Sequence, residues 1–534
     1  MVLGARVLRS RPAVAALVVA TGAAAWTAAP AQAADPRTRV VVVVVDGLRP
    51  DEVALMPFLS SLAAQGRYYT ESRSVMVAET IPNHVAMVTG TYPDRNGIVA
   101  NDFPDSGTGQ VLGNESPSFL QSDSLFTLVE KQCPTLSTAS VTSKDYLFEV
   151  MSHDRTGDGR TDADSNFDNT SDPTFIPVAG LTPDERTVAE AVTVVEEQDP
   201  DFLFLNLGSV DRVGHVDEIG GVTSALPTGS RPAARDVQRT LTDTYLRTFV
   251  EQLRSSERWA ETAVIVTADH SMDWSLPTDT VSLSATMEAD PLLAGEVVVA
   301  QNGGAALYSL LKRNDPQAKA RLKRMREIAM ATDGVDEALY RQPNPLDGGT
   351  AHWVGAVHPD WHQTGPRSGD LLVTVEDGLR VTEPSSTSNP IPGNHGMPST
   401  LRIPVIVSGG LPVAAATVAG SADPFVRAAD QAENVDVAPT AAWLLGVDPP
   451  AGGFDGRALS EAFPTRPADS CISARTATPG TGTPPAGSPV PPVSAPGTGS
   501  LPVTGLTGLP LIGGVLLAAS LAQRRRRRCT SREI

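Results

Sequence analysis

Six consecutive valines at positions 40–45 constrain the fold of this chain more than any other feature. The run lies between Arg39 and the pair Asp46-Gly47. Valine favours extended backbone because its branched side chain is stiff, and a strand that is apolar at every position must be buried on both faces. The run therefore predicts a central strand of a parallel sheet that is covered on both sides.

Other segments continue this pattern. Further apolar runs occupy 202–208, 263–268, 370–376 and 403–409, and helical patterns occupy 56–66, 183–197 and 233–253. Strands that alternate with helices predict a doubly wound α/β fold, with a mostly parallel sheet and helices on both faces. The segment from about 272 to 360 interrupts the alternation and includes a basic helical stretch at 312–326, so we interpret it as an inserted cap subdomain.

The first 33 residues have the pattern of a secretory signal peptide. Three arginines precede an apolar stretch, and Ala31-Gln32-Ala33 supplies the small residues of a cleavage site. A membrane anchor is the alternative, but the early Pro12 and the Ala-x-Ala site favour cleavage after Ala33. We expect one large folded domain, cap included, from residue 34 to about 475.

The C-terminus carries a second targeting pattern. Residues 476–500 are rich in Pro, Thr, Gly and Ser and too poor in apolar groups to build a core, which predicts an extended spacer. In 501–534, Leu501-Pro502-Val503-Thr504-Gly505 precedes an apolar run and five arginines. This LPxTG arrangement resembles the signal that sortases of Gram-positive bacteria cut between Thr504 and Gly505, joining Thr504 to peptidoglycan.

The apolar run at 506–522 is on the short side of the ~20 residues that a membrane span needs, and the arginines behind it resist translocation. A plain transmembrane helix at this end would leave the LPxTG residues unexplained. In both interpretations the protein is tethered outside the cell. We expect it to be secreted and covalently attached to the cell wall, and membrane-associated before sorting.

Charge and cysteine content agree with an extracellular protein. Removal of the signal peptide and of the residues after Thr504 takes away a net +8, which lowers the formal charge from −19 to −27. Such a surface repels polyanions, so long nucleic acids are not expected partners. Cys133 and Cys471 then remain. Both could be free, but an oxidising compartment slightly favours a disulfide between them.

Potential metal ligands stand at the carboxyl ends of three predicted core strands and in front of a fourth. Each alone more often serves turn chemistry. However, ligands of doubly wound sheets bind at the carboxyl ends of strands, and three of these clusters share that edge. Carboxylate and imidazole groups without thiolates suit Zn²⁺ or a similar divalent ion. The residues are Asp46, Asp211, His215, Asp269, His270 and His395.

Thr80 is the best candidate nucleophile. It lies in the stretch ETIPNH at 79–84, where Pro82 near the start of an apolar helical run marks a helix N-terminus. The free N–H groups of a first turn favour an anionic phosphoryl group. Taken alone, Thr80 is better explained as a helix cap. His84 is more simply a supporting residue than a catalytic one.

The motifs in combination resemble one family. TIPNH at 80–84 followed by TGTYPDRNGIVAN at 89–101 resembles the nucleophile block of nucleotide pyrophosphatase/phosphodiesterases, which belong to the alkaline phosphatase superfamily. VVVDGLRPDEV at 43–53, DRVGH at 211–215, TADHSM at 267–272 and GNHGMP at 393–398 match the same family in the same order. The resemblance covers nearly the whole folded region.

The resemblance implies two metal sites and a covalent mechanism. Two divalent ions, most simply Zn²⁺ with Mn²⁺ as the alternative, would assist hydrolysis of phosphodiester or pyrophosphate bonds in a small phosphate ester. Thr80 would attack phosphorus and form a phosphothreonine, while Asn101 and the Thr80 backbone N–H hold a non-bridging oxygen. The implied ligands are Asp46, Thr80, Asp269 and His270 for one ion, and Asp211, His215 and His395 for the other.

Other functions remain open. A phosphomonoesterase or phosphonate hydrolase of the same superfamily can share these ligands, but monoesterases tend to add a basic residue beside the nucleophile. We find none in the sequence beside Thr80 or Asn101, although Arg49, Arg73 and Arg95 are further candidates. Glu79 could disfavour highly charged substrates. A third hypothesis is a catalytically idle wall protein that serves in binding, but the intact ligand set argues against it. The oligomeric state is not indicated.

One acidic loop suggests a calcium site. Its carboxylates alternate with glycine turns, loosely like a Ca²⁺ loop, but the spacing is not that of an EF-hand. An ordinary solvated loop explains the same pattern equally well. The residues are Asp154, Asp158, Asp162 and Asp164.

Overall fold

The structure is a computed structural model that describes residues 37–471, except 178, 216–230, 232, 275–277, 383–392, 422–427 and 429. The predicted signal peptide, spacer and sorting signal, with the apolar run at 506–522, lie outside the described residues. Among the residues described, no helix combines the length and hydropathy that crossing a bilayer requires.

The described chain alternates strands and helices. The strands are β1 (Arg39–Val45), β2 (Arg67–Arg73), β3 (Asp102–Asp105), β4 (Gln110–Gly113), β5 (Thr138–Thr142), β6 (Ser165–Asn166), β7 (Phe202–Leu207), β8 (Thr262–Thr267), β9 (Asp273–Trp274), β10 (Thr280–Val281), β11 (Val297–Asn302), β12 (Ala305–Leu310), β13 (Val335–Tyr340), β14 (Leu371–Val375), β15 (Arg380–Val381), β16 (Gly393–Asn394), β17 (Arg402–Gly409) and β18 (Ala416–Val418). The α-helices are α1 (Pro57–Gln65), α2 (Thr80–Thr89), α3 (Pro93–Asn96), α4 (Leu125–Gln132), α5 (Asp145–Met151), α6 (Asp184–Gln198), α7 (Ser209–Gly214), α8 (Ala233–Ser255), α9 (Ser284–Ala289), α10 (Ala318–Met330), α11 (Val354–Val357) and α12 (Val437–Leu445).

The main sheet has eight strands in the order β18-β2-β17-β8-β1-β7-β5-β6. The pairings make β17 antiparallel to both of its neighbours, while the other paired strands run parallel. The valine run forms β1 near the centre, and all six valines are fully buried. Burying one valine side chain contributes about 1.5–3 kcal/mol, so this strand contributes on the order of 10 kcal/mol before the entropic cost of ordering it.

Helices cover both faces of the main sheet. In one group, α1 and α6 both pack against α8, and in a second group α4, α5 and α12 surround α2. The predicted doubly wound α/β fold is therefore confirmed. The structure agrees within a few residues with the three helix predictions and with the strand predictions at 40–45, 202–208 and 263–268.

The prediction that 370–376 forms a core strand of the main sheet is wrong. These residues form β14, an inner strand of a separate antiparallel sheet in the order β11-β12-β14-β13. Leu371 and Val373 pack in the same cluster as Met325 of α10, whereas Leu372 packs with Met76 in a different cluster. Because both faces are buried, β14 has the continuous apolar pattern of a main-sheet strand. The small sheet thus continues past residue 360.

Two further predictions bear on the inserted region and the cysteines. The basic stretch expected to be helical at 312–326 contributes to α10, which begins at Ala318 and ends at Met330.

Cys133, at the end of α4, forms a disulfide with Cys471, with 5.3 Å between the two Cα atoms. The bond ties the end of the described chain to the main domain.

Candidate active site

Three strands of the main sheet, β1, β7 and β8, lead to candidate residues at one edge. Strands β8, β1, β7 and β5 are adjacent and parallel, so their carboxyl ends lie side by side. β1 leads directly into Asp46, β7 into the short helix α7 with Asp211, and β8 into Asp269 and His270. His395 follows β16, which pairs with β9 just beyond the end of β8.

The first predicted ligand set converges. Nε2 of His270 lies 3.3 Å from Oδ2 of Asp269, 3.8 Å from Oδ1 of Asp46 and 3.3 Å from Oγ1 of Thr80. All four side chains are buried. Helix α2 begins at Thr80, so the hydroxyl stands at the N-terminus of a buried helix.

The second predicted set converges as well. Nε2 of His215 lies 3.2 Å from Oδ1 of Asp211 and 3.2 Å from Nε2 of His395. The Nε2 atom of His395 is 3.9 Å from the same carboxylate oxygen. His215 comes four residues after Asp211, which places both side chains on one face of α7.

A purely geometric grouping divides these residues differently. In the described part of the chain, the groups with three ligand atoms within 4.8 Å of one another are Asp211, His270, His395 and Asp46, His84, Asp269. The ring of His270 stacks on that of His395 at 3.8 Å, so its Nε2 atom is close to both sets. The shortest distance from His270 to a carboxylate is the 3.3 Å between Nε2 and Oδ2 of Asp269, a residue of the first set.

His84 has the surroundings of a supporting residue. Its Nδ1 atom lies 2.9 Å from the carbonyl oxygen of Thr80, and its Nε2 atom lies 2.9 Å from Nδ2 of Asn206. Burial lowers the pKa of His84 to about 4, so the ring is neutral at pH 7. Both ring nitrogens are engaged, and the side chain fixes the backbone of Thr80.

The three predicted histidine ligands share one orientation. Each directs Nδ1 at a backbone carbonyl, and because a carbonyl can only accept, Nδ1 carries the proton and Nε2 offers its lone pair in the neutral ring. Burial lowers the pKa of His270 and of His395, which keeps these rings neutral. The contacts are His215 to Gly393 at 2.8 Å, His270 to Ser271 at 2.8 Å and His395 to Ala78 at 3.0 Å.

These lone pairs face carboxylate oxygens. Oδ1 of Asp211 and Oδ2 of Asp269 are buried and have no hydrogen-bond donor among the described residues. Each lies within 3.3 Å of a histidine Nε2 atom. Acceptors that face one another in a buried site repel unless a cation lies between them. The donor set therefore fits divalent cations at both places.

Lys144 was missed by the sequence analysis. Its Nζ atom lies 2.7 Å from Oδ1 of Asp46, 2.8 Å from Oδ2 of Asp211 and 3.2 Å from Oγ1 of Thr80, and the side chain is fully buried. The ammonium thus joins the two ligand sets and contacts the candidate nucleophile. The statement that no basic residue lies beside Thr80 is wrong.

No local pattern in the sequence indicated Lys144. It comes two residues after β5, and the carboxyl end of β5 lies beside that of β7. The sequence of β5 is TASVT, whose small and polar residues do not form an apolar run. The strand was therefore not predicted, and the lysine behind it was not placed at the edge of the sheet.

Charges in this site depend strongly on one another. Burial raises the pKa of Asp46 and of Asp269 to about 6. Burial would also raise the pKa of Asp211, but Lys144 holds it well below its usual range. The site therefore combines one firmly ionised carboxylate with two that retain protons more readily.

Asn101 and Glu79 are held together beside Thr80. Oδ1 of Asn101 accepts a hydrogen bond from the N–H of Ile81 at 2.8 Å, and its own N–H donates to Oε2 of Glu79 at 2.7 Å. Burial raises the pKa of Glu79 to about 8, so most of its charge is absent at pH 7. The negative charge that the sequence places beside Thr80 is thus largely removed.

The ligand sets open into a cleft of about 300 Å³. The residues that line it include Gln301, Gly303, Arg380 and Val381 from the inserted region. Tyr146 and Arg212 also line it, together with Thr80, Asn101, Asp211, His215 and His395. The three arginines suggested by the sequence are engaged elsewhere: Arg49 contacts Asp51, Arg73 contacts Asp360 and Arg95 contacts Asp455.

The acidic loop does not converge in this way. Asp154 accepts from the N–H groups of Gly157 and Gly159, and Asp164 accepts from Thr138. Asp158 caps its own turn and Asp162 contacts Thr127. Within the described ranges, their oxygens are not among the groups close enough to hold one ion. The calcium site stays a prediction that this geometry does not favour.

Comparison with known proteins identifies the family. Residues 40–398 match the family described as type I phosphodiesterase / nucleotide pyrophosphatase. An uncharacterized pyrophosphatase/phosphodiesterase of Schizosaccharomyces pombe is 27% identical over 182 residues, which are 34% of this chain and 36% of that protein. A bis(5'-adenosyl)-triphosphatase of Xenopus laevis is 36% identical over 76 residues, 14% of this chain and 17% of that protein. The chain thus aligns with little more than a third of these relatives at most.

Solved structures share the fold. Murine ectonucleotide pyrophosphatase/phosphodiesterase 5, an inactive variant in complex with AMP, superimposes with a TM-score of 0.56 and 16% identity, over 77% of this chain and 96% of that one. Phosphonoacetate hydrolase from Sinorhizobium meliloti 1021, in complex with phosphonoformate, superimposes with a TM-score of 0.52 and 19% identity, over 75% of this chain and 94% of that one.

The matched residues make up more than half of the chain and include every candidate ligand from Asp46 to His395. The predicted family resemblance is confirmed. This protein belongs to the type I phosphodiesterase/nucleotide pyrophosphatase family of hydrolases, within the alkaline phosphatase superfamily.

Proposed function

We propose that this protein hydrolyses phosphodiester or pyrophosphate bonds by way of a phosphothreonine at Thr80. The observation that carries the proposal is the short distance, 3.3 Å, between Oγ1 of Thr80 and Nε2 of His270. Thr80 stands at the N-terminus of a buried helix and lines the cleft. Family membership supplies the hydrolase class.

Two divalent cations are part of the proposal, with zinc first and manganese as the alternative. Asp46, Thr80, Asp269 and His270 would hold one, and Asp211, His215 and His395 would hold the other. When bound, such cations would lower the pKa of a hydroxyl or a water molecule and offset the charge that develops on attacking and leaving oxygens.

The protein's own residues position the reaction. In the first half, the bond from Oγ1 of Thr80 to phosphorus forms while the bond from phosphorus to the leaving oxygen breaks, and that oxygen takes up a proton. In the second half, water attacks phosphorus and the Thr80 oxygen is released as a hydroxyl. Lys144 places positive charge 3.2 Å from the attacking oxygen, which stabilises its deprotonated form.

Asn101 has the orientation of an oxyanion donor. Its Oδ1 atom is fixed by the N–H of Ile81, so the amide NH₂ group remains available to a non-bridging phosphoryl oxygen. The N–H of Thr80, at the first position of α2, points out of the helix start and can serve the same oxygen. Donors placed in advance stabilise the charge of a transition state.

The test compares bis-p-nitrophenyl phosphate with p-nitrophenyl phosphate, after chelation and with zinc or manganese restored. We expect metal-dependent hydrolysis with a preference for the diester, and a phosphorylated Thr80 in peptides from enzyme quenched during turnover. A strong preference for the monoester would overturn the diesterase assignment. Turnover without a phosphorylated Thr80 would overturn the covalent route.

A monoesterase or phosphonate hydrolase is the second candidate, and Lys144 is the observation that favours it. A fixed ammonium 3.2 Å from the nucleophile is the kind of basic group that a doubly charged phosphoryl group requires. Phosphonate substrates are therefore assayed beside the two nitrophenyl phosphates, and their hydrolysis would favour this candidate. A catalytically idle binding protein has no physical need for the buried ligand sets.

We also propose that the protein is secreted and attached to peptidoglycan through Thr504. The LPxTG sequence at 501–505 and the basic tail support this location. The disulfide between Cys133 and Cys471 agrees with an oxidising compartment. Mass spectrometry of muramidase-released wall fragments from the source cells should find Thr504 linked to a wall peptide; a peptide that runs on through Gly505 would exclude sorting.

A further inference from the structure

Arg212 is a basic residue of the cleft that the mechanism above does not use. It follows Asp211 on α7 and lines the same cleft as Thr80 and Asn101. Among the described residues, its guanidinium forms no ion pair with a carboxylate, and its Nε atom is buried without a hydrogen-bond partner. Asp211, Asp46 and Asp145 act on it electrostatically, but in the part of the chain that the structure describes no carboxylate oxygen lies within ion-pair distance of its guanidinium.

Tyr146 fixes the place of this guanidinium. The Cζ atom of Arg212 lies 5.6 Å from the centroid of the Tyr146 ring, and Nζ of Lys144 lies 5.8 Å from the same centroid. Contacts of a cation with a ring face are favourable at such distances. The ring therefore holds two cations close to the nucleophile, and both Tyr146 and Arg212 line the cleft.

The two cations differ in what they can bind. The ammonium of Lys144 is already engaged by Asp46, Asp211 and Thr80. The guanidinium of Arg212 keeps its planar donors, which match the oxygens of a phosphate group in pairs. Because α7 carries both Asp211 and Arg212, the distance between the candidate metal site and these donors is set by one short helix.

We propose that Arg212 and Tyr146 form a subsite for a second phosphate group, next to the phosphorus that Thr80 attacks. This inference rests on the proposed function and narrows it: the subsite selects pyrophosphate bonds, in which a charged phosphate neighbours the scissile phosphorus, over simple diesters, which offer no such group. The guanidinium binds the phosphate oxygens and the Tyr146 hydroxyl donates to one of them.

The experiment measures kcat/KM of the zinc-loaded full-length protein for ADP and for bis-p-nitrophenyl phosphate, in wild type, Arg212→Gln and Tyr146→Phe. Loss of a charge-assisted hydrogen bond weakens binding roughly 10- to 100-fold. We expect the ratio of the ADP value to the diester value to fall by about that factor in Arg212→Gln, and by less in Tyr146→Phe. Arg160→Gln, which removes the same charge from an exposed loop, should leave the ratio at the wild-type value.

A binding measurement keeps the inference testable where turnover is slow. Calorimetric titration of the zinc-loaded protein with inorganic pyrophosphate should give a Kd at least tenfold weaker in Arg212→Gln than in Arg160→Gln. An unchanged ratio, or equal affinity for pyrophosphate, would overturn the subsite while leaving the hydrolase assignment intact. Absence of turnover of both substrates by wild type would instead overturn the proposed function.

Discussion

The guanidinium of Arg235 and the carboxylate of Glu52 form a fully buried ion pair, with 2.7 Å between Nη2 and Oε2 and 3.0 Å between Nε and Oε1. The same guanidinium donates to the carbonyl oxygens of Gly47 at 2.6 Å and Val210 at 2.8 Å. Gly47 follows Asp46 and Val210 precedes Asp211. One side chain of α8 thus holds the backbone beside a candidate ligand of each metal site.

Replacing Arg235 by methionine should destabilise the protein strongly. The change removes the buried partner that bonds both Glu52 oxygens and leaves, among the described residues, only Arg231, 3.2 Å from Oε1, and the more distant Arg239 as basic neighbours. Loss of one member of a buried pair costs about 3–5 kcal/mol. Urea unfolding followed by tryptophan fluorescence gives the free energy. Lys323→Ala, which breaks the exposed pair of Lys323 with Glu327, is the control and should change it far less. Similar values for the two variants would contradict the central role of Arg235.

The pair should also make stability depend on pH. Burial alone would raise the pKa of Glu52, but Arg235 and its neighbours lower it to about 2 from 4.5. A carboxylate with a lowered folded-state pKa contributes stability that is complete above its unfolded value and disappears as pH falls towards the folded value. We therefore expect the advantage of wild type over Glu52→Gln in unfolding free energy, on the order of 3 kcal/mol, to be full at pH 6 and to shrink steadily between pH 4.5 and pH 2.

Denaturant unfolding of both proteins across pH 2.5–7 measures this difference, in which the titration of all other groups largely cancels. A gap between wild type and Glu52→Gln that stays constant down to pH 2.5 would mean that Glu52 titrates normally in the folded protein. The ion pair would then contribute little.

Much of this site could be predicted from the sequence because strand ends carry its residues. The valine run places Asp46 at the edge of the sheet, and the runs at 202–208 and 263–268 place Asp211 and Asp269 beside it, since parallel strands align their carboxyl ends. His395 could be predicted from its motif alone. Its position depends on the pairing of β16 with β9, two short strands whose partners no local pattern indicates.

Residues that act through tertiary contacts could not be predicted. Lys144 follows a strand of small and polar residues, and that strand is buried by its neighbours rather than by its own hydropathy. Arg235 has the sequence context of an ordinary helix residue, and its partners lie more than 20 residues away in the chain. β14 is buried on both faces, as the strands of the main sheet are, so its apolar pattern cannot show to which sheet it belongs.

Thr80→Ala should abolish turnover while metal content stays nearly unchanged. The hydroxyl is the attacking group of the proposed reaction, whereas Asp46, Asp269 and His270 remain to bind the cation. Thr80→Ser keeps a hydroxyl at the same position and should retain measurable activity. Elemental analysis and p-nitrophenol release check both properties on the same preparations. Turnover by Thr80→Ala, or loss of its metal, would remove Thr80 from the role assigned to it.

Lys144→Met should slow turnover and change how the protein responds to metal. Without the ammonium, the carboxylates of Asp46 and Asp211 repel each other without compensation in a buried site, so the metal-free protein should unfold at a lower temperature than wild type. A divalent cation then neutralises more repulsion in the variant than in wild type. The rise in Tm on addition of zinc should therefore be larger in Lys144→Met.

Differential scanning fluorimetry with and without zinc, together with initial rates on bis-p-nitrophenyl phosphate, checks this expectation. We expect kcat to fall roughly 100-fold, the range over which removing one stabilising donor from a transition state acts. Lys144→Arg keeps the charge but not the compact ammonium that fits between two carboxylates. Its zinc-induced rise in Tm should therefore be close to that of wild type, whereas its kcat should still be clearly lower. A zinc-induced rise in Tm that is smaller in Lys144→Met than in wild type would contradict this expectation. It would show that the ammonium promotes zinc binding instead of neutralising the same carboxylates that zinc neutralises.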